Sequence, residues 1–166
     1  MVGEEVGTTS NNHLKLHLGS RKKRFPGYLN VDIEEHPGVD LVADFRKLDY
    51  SNQVESIRAH HLLEHFSREE GIVVLKQWHS WLIPGGTLIV ETPDFEGICQ
   101  NLSKDPYWMT RHAYGSQEAG WAFHRDGWYE EKFKQILPII GFDILSISKS
   151  VSRKILPNIT VVAKKR

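Results

Sequence analysis

Leu14, Leu16 and Leu18 alternate with polar residues and stop at Gly19, a period of two that predicts a strand running into a turn. Residues 28–33 and 39–43 are two more short β-type runs, separated by the turn-forming His36, Pro37 and Gly38. Each ends beside an acidic residue, Asp32 or Asp44. Residues 54–59 give a weaker strand pattern, broken by Glu55, Ser56 and Arg58, which leads into His60-His61-Leu62-Leu63-Glu64-His65. After Ser67 the period changes. Ser67 and Glu70 form a capping box, and Ile72, Leu75 and Leu82 with Val74, Trp78 and Trp81 supply two adjoining apolar stripes at helical spacing.

Pro84-Gly85-Gly86 stops that helix, and residues 87–92 follow as an apolar run expected to be a strand buried on both faces. A second helix is predicted from Asp126 as N-cap, Glu130 and Glu131 in its first turn, and Phe133, Ile136, Leu137 and Ile140 on one side. Gly141 ends it. Two strands follow, 142–148 and 159–163. The stretch between them is too short and too aperiodic for a parallel crossover, so they are expected to pair antiparallel at one sheet edge. Residues 94–127 are rich in Gly, His and aromatics with weak periodicity, as expected of an irregular cover over a functional site.

The chain has 166 residues, enough for one core without disulfides or a structural metal, so residues 13–166 are expected to form a single domain. Residues 1–12 are polar and acidic, with no apolar segment, and are expected to be a loose leader and not a signal peptide. No apolar run approaches the roughly 18 residues of a membrane-spanning helix. Basic and acidic residues balance at 21 each, which removes the broad attraction nucleic-acid binding rests on, except at Arg21–Arg24 and Lys164–Arg166. Cys99 is the only cysteine, so no intrachain disulfide forms, and it is expected to be a small hydrophobe near a helix. These features suggest a cytoplasmic protein whose oligomeric state is left open.

Leu18-Gly19-Ser20, Leu29-Asn30-Val31-Asp32-Ile33, Ala43-Asp44-Phe45, His61-Leu62-Leu63-Glu64-His65, Leu82-Ile83-Pro84-Gly85-Gly86, Pro93-Asp94 and Gly141-Phe142 occur in a fixed order. In this order and spacing the chain resembles the class I S-adenosylmethionine-dependent methyltransferases, and more narrowly the small methyltransferases of the type 11 kind. The resemblance runs from Leu14 to the C-terminus. It implies a Rossmann-like α/β three-layer sandwich with a mostly parallel seven-stranded sheet, order 3-2-1-4-5-7-6, and an antiparallel seventh strand. The interval between Gly19 and Asp32 is too short for the usual first helix, which is therefore expected to be missing or shortened. Arg21–Arg24 stand where the family has further glycines.

The resemblance implies S-adenosylmethionine as cofactor and assigns residues to it. Asp32, at the end of the second strand, is the carboxylate that accepts from the two ribose hydroxyls. Asp44 meets the adenine amine, and Ile33 and Phe45 line the adenine faces or else pack in the core. Gly19 and Ser20 let backbone approach the methionine part, and His60 and His61 line the cofactor or acceptor side. Methyl transfer is an in-line displacement that needs orientation and, for a hydroxyl acceptor, a general base. His124 and His61 are the candidates, because neutral imidazole is available near pH 7. Tyr114, Trp121 and Phe123 either form an acceptor wall or pack as a local mini-core.

His61-x-x-Glu64-His65 also matches a zinc-protease pattern, but no long helix surrounds it, so no metal is expected. The leading expectation is an enzyme, a methyltransferase acting on a small-molecule or sugar acceptor. The alternative is a non-catalytic domain of the same fold serving as a binding or regulatory module. Nucleotide or nucleic-acid binding through the two basic runs is a third reading, and the neutral overall charge weighs against it.

Overall fold

The computed structural model describes residues 13–166, so the expected leader lies outside the described residues. The strands are β1 (Leu14–Leu18), β2 (Leu29–Asp32), β3 (Leu41–Val42), β4 (Val54–His60), β5 (Leu82–Pro93), β6 (Phe142–Ser152) and β7 (Leu156–Lys165). They form one sheet in the order β3-β2-β1-β4-β5-β7-β6. Pairing is parallel from β3 through β5, while β7 is antiparallel to both β5 and β6. The antiparallel edge expected from the short last connection is present. The hairpin is longer than its hydrophobic pattern suggested, because β6 and β7 pair as far as Ser152 opposite Leu156. Arg153 and Lys154 close it with positive φ of 47° and 68°, the backbone hand that matches twisted strands.

The helices are α1 (Arg68–Trp81), α2 (Phe95–Asn101), α3 (Pro106–Tyr114) and α4 (Glu130–Ile140). The capping box at α1 is formed: Ser67 Oγ accepts from Glu70 N at 3.3 Å, and Ser67 N donates to Glu70 Oε2 at 2.9 Å. The helix ends at Trp81, and the chain enters β5 directly at Leu82. Residues 83–86 bulge out of the ladder between the Val54–Leu82 and Ser56–Thr87 pairs, with Gly85 at φ +78°. Asp126 is not the cap of α4, whose N-cap is Tyr129. The Asp126 carboxylate instead holds the buried ammonium of Lys132, which lies over the Trp128 ring. Nor is the 94–127 segment wholly irregular, since α2 and α3 form within it.

Strand alternation divides the sheet into two unlike faces. Leu16, Leu18, Val31, Ile57, Leu88, Val90 and Val161 share one core with Val74, Leu75, Trp78 and Trp81 of α1 and with Phe133 and Leu137 of α4. β5 is therefore not buried evenly on both sides: Leu88, Val90 and Thr92 are buried, while Ile89 and Glu91 are only partly so. On the other face His17 donates from Nδ1 to Asn30 Oδ1 at 3.0 Å. Phe25 packs edge-on to His17, and Arg58 stacks over Phe25. Tyr28 bonds Ser56 through its hydroxyl at 3.1 Å. The β1–β2 connection thus covers this face as a loop, with no helix where the resemblance implies one.

Candidate functional site

The loops after β1, β2, β4 and β5 meet at the carboxyl end of the sheet, where the strand order reverses between β1 and β4. Open α/β sheets bind ligands at such a crevice. Gly19 leaves β1 with φ +67°, and an added Cβ would approach Leu62 to 3.1 Å. The Gly19 and Ser20 amides both donate to Val31 O, at 2.9 and 3.2 Å, which folds the loop back on β2. Arg21, also at positive φ, then donates its amide to Asp32 Oδ2 at 2.8 Å. Glu34 N reaches Asp32 Oδ1 at 3.0 Å. Asp32 is thus a buried carboxylate with each oxygen held by one backbone amide, and each oxygen keeps further accepting capacity. Ser20 Oγ beside it is buried without a hydrogen-bond partner.

Asp44 and Phe45 sit differently from Asp32. Asp44 caps a 3-10 turn at Phe45–Lys47 and accepts twice from the Arg46 guanidinium, at 2.9 Å each. That guanidinium holds the Asp44 carboxyl below the usual carboxylate range. Phe45 is a core residue: its ring packs edge-on against Phe66 and Trp81 and tilted against Trp78. Of the two readings of Phe45, adenine lining or core packing, these contacts are those of core packing. Ile33 is the apolar residue left beside Asp32, 59% exposed.

At the end of β4 the chain turns sharply at His61, φ 50°. His60 Nε2 lies 2.9 Å from Glu91 Oε1 on β5. His61 faces two carboxylates, with Nδ1 3.2 Å from Glu64 Oε1 and Nε2 3.6 Å from Glu91 Oε1. Burial alone would lower the His61 pKa, but the hydrogen bonds and charges of Glu64 and Glu91 overcome it and raise it to about 9. The two facing carboxylates thus favour the protonated form of His61, which weighs against its expected role as a neutral general base. Glu91 is held well below the usual carboxylate range by its hydrogen bonds to His60 and His61. Burial would raise the Glu64 pKa, yet the bond to His61 and the surrounding imidazoles leave it lowered.

The 94–127 segment closes over this cluster. Arg125 N donates to Glu64 O at 2.8 Å, and His124 N to Tyr114 O at 3.0 Å. His124 Nδ1 bonds the His112 carbonyl at 2.9 Å, and its Nε2 stands 3.9 Å from Glu64 Oε1. Burial pushes His124 toward the neutral form, the opposite of His61. Tyr114, Trp121 and Phe123 stay substantially exposed and form no mini-core, and the Arg21 guanidinium stacks 4.6 Å over the Trp121 ring. Glu91 was missed in the sequence, although it is the only charged residue in the apolar 87–92 run. Glu64 and His65, which the sequence marked only through the His61-x-x-Glu64-His65 pattern, belong to the cluster.

No family model matches the sequence, and no curated protein matches it. Solved structures do. The N1-methyltransferase of 1,6-didemethyltoxoflavin from Burkholderia thailandensis, with that compound and S-adenosylhomocysteine bound, superposes with a TM-score of 0.66 at 14% identity. The match covers 92% of this chain and 71% of that one. A methyltransferase from Archaeoglobus fulgidus matches at TM-score 0.63 and 17% identity, over 92% of this chain and 86% of its own. Magnesium protoporphyrin IX methyltransferase from Synechocystis, with bound S-adenosylhomocysteine, gives 0.63 and 13%, over 93% and 74%. The chain has the class I methyltransferase fold. Within that fold the Asp32 carboxylate and the His60–His61 turn flank the reversal of strand order, and the reduced β1–β2 connection is this chain's departure from the implied pattern.

Proposed function

We propose that this protein is an S-adenosylmethionine-dependent methyltransferase acting on a small-molecule or sugar acceptor. The observation that carries the reading is Asp32, a buried carboxylate fixed by the Arg21 and Glu34 amides at the end of β2. The cofactor supplies a methyl group already activated on a sulfonium. Asp32 accepts from the ribose hydroxyls, and Ile33 offers apolar surface to the adenine. Gly19 gives backbone room, and Ser20 Oγ, buried without a partner, is a polar group that fits a ligand donor or acceptor. Asp44 is a weaker contributor, since reaching an adenine amine would compete with its clamp to Arg46. On the acceptor side His60, His61 and Glu91 form a charged wall. His124, which burial pushes toward the neutral form, is the base for a hydroxyl acceptor.

Isothermal titration with S-adenosylmethionine and S-adenosylhomocysteine tests the reading, with Asp32→Ala as the comparison. Losing charge-assisted hydrogen bonds worth about 1.5–3 kcal/mol each should weaken binding by roughly 10-fold to more than 100-fold. A circular dichroism spectrum shows whether the variant keeps its fold once the Arg21 and Glu34 anchors are lost. Absence of heat with either ligand overturns the enzyme reading. It would favour the non-catalytic module, for which the missing helix and the Arg46 clamp on Asp44 speak.

A further inference from the structure

Glu64, His65 and His124 present a carboxylate oxygen and two imidazole nitrogens that all lie within 4.8 Å of one another. The far side of each imidazole fixes its tautomer. His65 Nδ1 is 3.0 Å from the Phe123 carbonyl oxygen, and His124 Nδ1 is 2.9 Å from that of His112. A carbonyl only accepts, so each Nδ1 carries the hydrogen and Nε2 is the nitrogen left for a ligand. Glu64 adds further acceptors. Its Oε1 takes the hydrogen bond from His61, while Oε2 is buried with no partner, in a residue only 1% exposed.

In the neutral tautomers so fixed, lone pairs converge from three side chains with no hydrogen between them, an arrangement that a proton or a metal cation relieves. Imidazoles whose outer N–H groups are held by backbone carbonyls are the arrangement that orients metal-bound histidines. We propose that Glu64, His65 and His124 bind a divalent transition-metal cation of the zinc class and leave its remaining coordination positions open. Bonds of about 2.1 Å need donor atoms about 3–3.5 Å apart. The 3.9 Å between His124 Nε2 and Glu64 Oε1 closes to that range by a small side-chain rotation. Two imidazoles and one carboxylate select zinc, manganese, cobalt or iron over magnesium and calcium, which prefer all-oxygen shells.

The adjacent trio of His60, His61 and Glu91 is different. There each imidazole already meets a carboxylate, His60 at 2.9 Å and His61 at 3.2 Å to Glu64, so the charges are paired without a metal. The site also differs from the zinc-protease reading of His61-x-x-Glu64-His65, in which both histidines bind and the glutamate is a base. Leu63–His65 form a 3-10 turn, the glutamate is itself a ligand, and the third ligand comes from the cover. Sequence reading alone does not reveal this set, because the third ligand is distant in sequence.

Metal binding stands apart from the methyltransferase reading. Only its consequence rests on that reading: with the cation bound, the His124 Nε2 lone pair is taken up as a ligand and no longer serves as the base, and an acceptor hydroxyl on an open position would instead lose its proton more readily through the metal. The test is isothermal titration of the untagged, EDTA-treated full chain with Zn²⁺, and visible absorption with Co²⁺, both without S-adenosylmethionine. One equivalent per chain is expected, unaffected by excess Mg²⁺. His65→Ala and His124→Ala should each weaken it by more than about 100-fold, beyond the roughly 10–100-fold of losing an outer-shell partner, and remove the Co²⁺ bands, whereas His60→Ala should leave both intact. Circular dichroism checks the fold of each variant. No stoichiometric binding by the wild-type chain, or binding lost with His60→Ala but kept in the other two, overturns the proposal. A protein that binds zinc but not S-adenosylhomocysteine would retain the metal site and lose only the cofactor reading.

Discussion

Phe45 and Ile33 each follow an acidic residue at the end of a β-type run and look interchangeable in sequence, but they do unlike work. Phe45 lies among Phe66, Trp78 and Trp81, and Ile33 is left at the surface beside Asp32. Phe45→Ala removes a core ring and should cost about 3–5 kcal/mol of unfolding free energy, read by urea denaturation. Ile33→Ala should change stability by less than about 0.5 kcal/mol while weakening S-adenosylhomocysteine binding several-fold. Equal stability losses in the two variants would contradict this division. His61 and His124 form a second such pair. Both are histidines near one glutamate, yet two facing carboxylates favour the charged form of His61 while burial favours the neutral form of His124.

Element boundaries follow from local chemistry wherever a cap or a glycine sets them. The capping box starts α1, and Gly141, at φ +118°, ends α4. Gly141→Ala should lower stability by about 1–2 kcal/mol from the left-handed backbone alone. The new Cβ would also lie 2.7 Å from His79 Nε2, forcing that ring to move. A variant that melts with the wild type in thermal unfolding would show that the turn can adopt another geometry. Asp126 marks the limit of such local reasoning. It has the right residue type for an N-cap, but the nearby Lys132 ammonium is buried and takes the carboxylate. The helices within 94–127 were illegible for a related reason, since α2 and α3 are short and present little apolar periodicity of their own.

Across the whole molecule, the polar face of the sheet makes stability sensitive to acid. His17 is buried there, and burial, with smaller contributions from His60, Arg58 and Lys23, lowers its pKa below the ordinary value of 6.5. The unfolded chain therefore binds the proton more tightly than the folded one. His17's contribution is fully present above about pH 6.5 and is lost as pH falls from there toward its folded pKa. His17→Gln, which can keep a hydrogen bond to Asn30 without titrating, should lose less stability than the wild type between pH 7 and 5. Urea midpoints at the two pH values measure this, and parallel losses would assign the acid sensitivity elsewhere.

The sequence by itself determined the antiparallel edge, the missing first helix and the place of Asp32 at a strand end, each of which depends on short-range facts: apolar period, connection length, and a carboxylate after a β run. The strand order came from the resemblance, which rests on the order and spacing of the motifs together, and the sheet has that order. Tertiary structure decided which of the marked residues share a site. It brought Glu91 from β5 to His60 and His61, and placed His124 beside Glu64 and His65 across the cover. It also sent Phe45 inward and clamped Asp44 with Arg46. The physical reason is that charge state, burial and free lone pairs depend on what lies opposite a side chain, and those partners come from strands and loops distant in the chain.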